Sequence, residues 1–230
     1  LLLILMGVGI FVGLGAGSLI SIRLGQKDKA GAELILGNAL SLVIILVLLT
    51  TAVSLWFLDP LLLFLGATPE VMPYARDFSL IILGGSIFMH VSFGMKNLIR
   101  AQGDPHTALK TMLIAALLNA ALNPMFIFGF DMGIKGSAWA TVVAQIVATV
   151  WVLVYFIKGT GMMQLKVSNL RLQRKIFTEI SRIGMAPFLL QIGAGMVMVV
   201  LNFNLLAYGG GLAVAATGAR LQAGRRARNA

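Results

Sequence analysis

Two asparagines four residues apart, Asn119 and Asn123 in LNAALNPMFIFGF, stand inside an otherwise apolar run. A spacing of four puts both on one side of a helix. Pro124 follows at once; it has no N–H, so the carbonyl of Ala120 loses its usual helical donor. Two amide oxygens and a loosened carbonyl on one face form a candidate cation or water site. The alternative is hydrogen bonding between helices, worth about 0.6 kcal/mol on average inside a membrane. In GIKGSAWATVVAQ, Thr141 and Gln145 share a face, and Gly133, Gly136 and Ala140 are small enough to let another helix approach. In GGSIFMHVSFGMKN, Ser86, His90 and Gly94 form one stripe. His90 is the one titratable group well inside an apolar run. Imidazole changes charge near neutral pH, so His90 is a candidate for proton coupling; its other reading is a packed, neutral hydrogen-bonding group. Gln191, Asn202 and Asn204 could line a cavity or join helices.

Other chemistries are not supported. No Gly-x-Ser-x-Gly, Walker lysine, His-Glu-x-x-His or paired-aspartate motif is present, so no catalytic residue is assigned and an enzyme is not expected. The chain lacks cysteine, which removes disulfides, thiolate metal sites and thiol nucleophiles. The eight carboxylates all fall in loops or near membrane surfaces on this reading. No cofactor or bound metal beyond a coupling cation is expected.

The elements that must hold these polar groups are membrane spans. Of the 230 residues, 59% are hydrophobic and only 11% charged. Soluble domains carry about 25% charged residues. Runs long enough to cross a bilayer fall at roughly 1–22, 34–58, 77–99, 108–130, 135–157 and 185–208. The fold class is therefore an all-α, polytopic transmembrane helix bundle with six spans, embedded in a lipid bilayer. The formal net charge of +10 is divided among short loops. The first (23–33) holds Arg23, Lys27 and Lys29, the third (about 96–110) Lys96, Arg100 and Lys110, and the fifth (158–184) six bases. Loops two and four hold only Arg76 and Lys135. The positive-inside rule puts the odd loops in the cytoplasm, and charge so dispersed argues against nucleic acid as a partner.

Within the fifth loop, Leu172, Ile176, Phe177, Ile180 and Ile183 recur at helical spacing with bases between them. This predicts an amphipathic helix, lying on the membrane surface or packed on the bundle. It marks a boundary between an amino-terminal lobe (1–157), a connecting segment (158–184) and the first helix of a second lobe (185–219). Arg220, Arg225, Arg226 and Arg228, in an atypical basic tail (220–230), oppose the charge rule and read as foreign or disordered sequence. The chain opens inside an apolar run without a charged leader, so a fragment is expected rather than a signal peptide. Gly9, Gly13 and Gly17 in MGVGIFVGLGAGSLISIRLGQ recur every four residues, as helix–helix packing requires; a dinucleotide loop would need a preceding strand.

Four stretches carry a family resemblance: GLGAGSLISIRLGQKDKAGAE, NLIRAQGDPHTALK, LNAALNPMFIFGFDMGIKGSAWATVVAQ and RIGMAPFLLQIGAGM. In order and spacing they resemble multidrug and toxic compound extrusion (MATE) transporters over residues 1 to about 219. The resemblance implies a twelve-helix antiporter of two six-helix lobes. The six spans here would be its second to seventh helices. It further implies export of small organic cations or amphipathic drugs, driven by Na⁺ or H⁺, from a monomer in the cytoplasmic (inner) membrane of a bacterial-type cell. One branch of that family builds a cation site from an acid on the first helix, an Asn and an Asp four apart on the fifth, and a Thr on the sixth. Onto this chain the Asn maps to Asn119 and the Thr to Thr141, while the Asp position holds Asn123. An amide supplies oxygen but neither charge nor a transferable proton. Asn119, Asn123 and Thr141 are thus the expected coupling site, and His90, Gln145, Gln191 and Asn202 the expected cavity lining. A lipid-linked oligosaccharide flippase of related architecture, with an Arg- and Lys-rich cavity, and a non-transporting membrane scaffold are the competing readings.

Overall fold

The computed structural model describes residues 2–197 and 199–201. The described chain folds as helices joined by short turns: α1 (Leu2–Gly25), α2 (Lys29–Trp56), α3 (Leu58–Phe64), α4 (Met72–Gly84), α5 (Ser86–Ala101), α6 (Pro105–Pro124), a π-helical turn at Met125–Gly129, α7 (Gly133–Lys158), a 3₁₀ turn at Val167–Leu170 and α8 (Arg174–Leu201). Five helices are long and apolar enough to cross a membrane, or six when the pair α4 and α5 is counted as one span. Large apolar side chains such as Trp56, Phe128 and Leu190 are exposed. Hydrocarbon tails solvate such groups as well as a protein core does, so exposure costs nothing there.

Three expectations are corrected. The run 77–99 is not a single straight helix; α4 and α5 meet at 55°. The bend falls at the pair Gly84–Gly85, where a Cβ on Gly85 would collide with the side chain of Val142 on α7. Sharp kinks at glycine pairs follow from the loss of packing that would hold the helix straight. Second, the amphipathic stretch in the fifth loop is not a separate surface helix. It is the first turns of α8, which runs on into the last described span. Ile176 and Ile180 are buried in the main core, so hydrophobic packing on the bundle, not lipid, takes that apolar face. Third, charged residues assigned to loops belong to helices: Lys29 and Glu33 to α2, and Lys96 to α5. The basic tail and Asn202 lie outside the described residues.

The glycine stripe of α1 packs on α5. A Cβ on Gly13 would meet Asn97 at 2.8 Å, and one on Gly17 would touch Ala101 at 3.5 Å. Ser21 donates to the carbonyl of Ala101 across the same seam, at 2.9 Å. The opposite side of α1 receives α8, with Phe11 edge-on to Phe188 at 5.6 Å. On α7, Thr149 donates to the carbonyl of Phe88 at 2.7 Å, tying it to α5.

The segment between α7 and α8 is tied to α2 by polar groups. Gly159 ends α7 in the left-handed conformation at φ 64°, as a glycine after a helix allows. Asn38, wholly buried, accepts from the backbone of Gln173 at 2.6 Å and donates to the carbonyl of Asn169 at 3.2 Å. Ser41 donates to the carbonyl of Leu170 at 2.6 Å. Glu33, also buried, pairs with Lys166 at 2.6 Å and accepts from the backbone of Gln164 at 3.3 Å.

The turn between α5 and α6 is capped. Asp104 accepts from the backbone N–H of Thr107 at 3.0 Å and from the Tyr155 hydroxyl at 2.8 Å. The Thr107 N–H, foremost, holds the Asp104 carboxyl below the usual carboxylate range. A lowered folded-state pKa stabilises at neutral pH, and the contribution is lost as pH falls through it, below about pH 4. Asp104→Ala is expected to cost about 1 kcal/mol at neutral pH. In melts of purified protein the wild type should lose its advantage over Asp104→Ala as the pH drops, while Asp104→Asn, an uncharged cap, should lose none of its own.

Candidate functional site

Polar groups from α6 and α7 meet across their packed faces. Asn123 Nδ2 donates to Asn119 Oδ1 at 2.9 Å. Asn119 Nδ2 donates to Thr141 Oγ1 at 3.1 Å. The Thr141 hydroxyl donates in turn to the carbonyl of Ser137 at 3.0 Å, one turn back on its own helix. The donors all run one way, so the chain has a direction. It ends on a satisfied carbonyl and begins with an oxygen, Asn123 Oδ1, that is buried and accepts from nothing. A buried acceptor without a donor costs about 1–3 kcal/mol. Such an oxygen can accept a hydrogen bond from a water or contact a cation.

Local sequence explains the placement. Pro124 ends the regular helix, and the chain continues as a π turn with Phe130 N–H bonded to the Met125 carbonyl. Close packing then brings this turn against α7, where a Cβ on Gly136 would lie 2.7 Å from the Phe126 carbonyl. No side chain larger than hydrogen fits there, so α6 and α7 converge beside the two asparagines.

Next to the trio a cavity of about 370 Å³ opens between α1, α5, α6 and α7. Asn119, Thr141, Gln145 and His90 all line it; Asn123 does not. Gln191 does not line it either, but lies where a Cβ on Gly7 would reach it at 3.8 Å, at the seam of α1 and α8. His90 is buried, with Nδ1 2.6 Å from the Ser86 carbonyl. A carbonyl only accepts, so Nδ1 carries the hydrogen. The Ser86 hydroxyl shares a hydrogen bond of 2.7 Å with Thr51 on α2, which secures the turn that holds His90.

Four further groups were not singled out from sequence. Met6, Met89 and Met112 give the cavity a methionine surface, which adapts to varied guests. Lys96 also lines it. The signal was there: Met89, Phe93 and Lys96 follow the i, i+4, i+7 rule of one helical face. Assignment of Lys96 to a loop hid it.

A family model described as MatE matches residues 1–125. The chain is a member of the MatE family. Among curated proteins, this MatE chain is 31% identical over 206 residues to the multidrug export protein MepA of Staphylococcus aureus strain NCTC 8325 / PS 47, covering 90% of the chain and 46% of MepA. Among solved structures, the MATE multidrug transporter DinF-BH, captured as a ligand complex, is 35% identical with a TM-score of 0.89, over 94% of this chain and 49% of DinF-BH. An inward-facing MATE transporter of the MOP superfamily is 26% identical with a TM-score of 0.87, over 93% and 49%. The MatE chain thus spans about half the length of the relatives it matches. Those relatives are named as transporters, in keeping with the multi-pass helix bundle and the absence of an enzyme motif.

Proposed function

We propose that this chain is part of a secondary transporter, supplying most of its amino-terminal lobe and the first helix of the second, that exports cationic or amphipathic drugs from the cytoplasm across a bacterial-type inner membrane, driven by a gradient of Na⁺ or H⁺. The observation that carries this reading is the directed chain Asn123–Asn119–Thr141, with its unsatisfied oxygen, set beside a methionine-lined cavity inside a transmembrane bundle. Asn123 Oδ1, Asn119 Oδ1 and Thr141 Oγ1 are neutral oxygen donors of the kind hard cations accept. An asparagine at 123 cannot take up a proton, so among the cavity-lining residues described here His90 is the candidate for H⁺ coupling. On this reading, filling the cavity shifts the packing of α6 against α7, and cation binding at the trio opposes that shift. Two ligands that bias one equilibrium in opposite senses are what exchange requires.

The test is efflux from vesicles carrying the full-length protein, with a fluorescent amphipathic dye. Dissipating the ion gradient should lower the export rate at least about tenfold, equivalent to roughly 1.4 kcal/mol in the effective barrier. Asn123→Ala should abolish the response to Na⁺ if Na⁺ drives it, and His90→Gln the response to pH if H⁺ does. Export indifferent to both gradients would refute the antiport reading. Export that keeps its gradient response in Asn119→Ala and Thr141→Ala would leave the trio with a packing role only.

A further inference from the structure

We propose that the Phe93 ring is a seat for the positive charge of an organic cation, and that Lys96 fills this seat until a guest displaces it. The proposal rests on the reading of the cavity as the substrate site and names the side chain with which a cationic guest competes.

The Lys96 ammonium sits over the Phe93 ring, 5.0 Å from its centroid. The face of an aromatic ring carries negative charge density and draws cations that come within about 6 Å of the centroid. Three residues apart on α5, the two side chains stand one helical turn from each other. Both line the cavity, so the contact is made at its wall, where a guest can reach it.

The ring is held and the ammonium is not. A Cβ on Gly9 of α1 would lie 3.1 Å from Phe93 Cδ1 and 3.8 Å from Phe93 Cβ. The ring therefore packs against the backbone of α1, and even a methyl group at position 9 would press on it. Lys96 carries its charge on a flexible four-carbon stem. It lies five residues before the end of α5 at Ala101, about 7.5 Å along the axis. A lysine so placed can swing its ammonium out to water while its methylenes stay on apolar surface. Two positions are thus open to this charge: over the ring, or at the basic end of α5 beside Arg100.

Exchange at the seat replaces one cation by another. A small, strongly hydrated cation gains little over the ammonium already there. A delocalised aromatic cation is weakly hydrated and stacks on the ring, so it wins the exchange. Its apolar body then meets Met89 of α5 and Met112, Ala115 and Ala116 of α6. Lys96 sets a threshold that favours such guests.

The experiment titrates ethidium, a planar organic cation, by fluorescence anisotropy into the full-length protein in phosphatidylcholine nanodiscs, without any ion gradient. Lys96→Met removes the competitor and should tighten binding about fivefold, or about 1 kcal/mol. Lys96→Arg keeps a cation that stacks on the ring and should bind ethidium no more tightly than wild type. Plain charge repulsion also predicts the first result, and the Phe93→Leu background separates the two: there Lys96→Met should change affinity less than about twofold. Displacement is read directly by acylating lysines with an N-hydroxysuccinimide ester and quantifying the Lys96 peptide by mass spectrometry. Saturating ethidium should raise its labelling severalfold in the wild type. An equal gain from Lys96→Met with and without Phe93, tighter binding by Lys96→Arg, or Lys96 labelling that ethidium leaves unchanged or lowers would overturn the proposal. The labelling decides it also where Phe93→Leu binds too weakly to titrate. Ethidium that binds without moving Lys96 strikes this inference alone, whereas a wild type that binds no ethidium strikes the substrate-site reading with it.

Discussion

Gly184→Leu is expected to unseat α8 from α1, whereas Gly193→Leu, nine residues along the same helix, is expected to leave the fold intact. Gly184 and Gly15 face each other where the two helices cross. A Cβ on Gly184 would run into the carbonyl oxygen of Phe11, and one on Gly15 would lie 2.5 Å from that of Ile180. Neither obstacle is the loose end of a side chain; both are backbone, which cannot yield without moving a whole helix. Separating the helices also breaks the Phe11–Phe188 contact and opens the seam over Ile180, which is fully buried. Overpacking costs about 1–3 kcal/mol at ordinary core sites and more where backbone is struck. Among the described residues, no atom lies within 4 Å of a Cβ on Gly193. In tryptophan-fluorescence melts of detergent-purified protein, Gly184→Leu should lower Tm sharply or give no folded peak on size exclusion. Equal melting of the two variants would mean that the α1–α8 crossing does not hold the bundle together.

The second large effect is expected at Lys166. Glu33 reaches into the bundle from α2 with its side chain only 4% exposed, and Lys166 is its near partner at 2.6 Å. Lys29 is the other cation in reach, at 4.0 Å. Lys166→Met therefore leaves a buried carboxylate nearly alone, which costs about 3–5 kcal/mol. At roughly 2–4 °C per kcal/mol for a chain of this size, Tm should fall by about 10 °C. The double variant Glu33→Gln, Lys166→Met should recover most of the loss, because the charge that needed neutralising is gone. The same substitutions loosen the segment between α7 and α8, which Glu33 and Asn38 hold on α2. A melting curve unchanged in Lys166→Met would show that the segment is held by its backbone contacts alone.

How much of this was legible in advance depends on the kind of signal. Hydrophobic run length and the alternation of basic loops located the spans, because a bilayer imposes both constraints on any chain that crosses it. The four-residue period of Gly9, Gly13 and Gly17 marked a packing face, and Asn119, Asn123 and Thr141 stood out because polar groups are rare in such runs. The charged residues at helix ends were harder. Glu33 and Lys96 lie near span boundaries, where a few residues separate loop from helix. Side-chain length then decides whether the charge reaches water or turns inward, and one-dimensional pattern does not carry that choice. The bend at Gly85 was hidden for a similar reason: a run of apolar residues looks the same straight or kinked.

The sequence by itself therefore determined that this is an all-helical membrane bundle of the MatE kind, which residues share a helical face, and where polar groups interrupt the apolar runs. Periodicity and composition are local properties, and each helix obeys them whatever its neighbours. Only the tertiary structure decided which faces meet. It set Asn119 against Thr141, left one oxygen of Asn123 without a donor among the described residues, turned Glu33 toward Lys166, and placed Lys96 on the wall of the cavity. Those are relations between segments tens of residues apart. Packing selects them through close approaches that a single glycine permits and a single methyl group forbids.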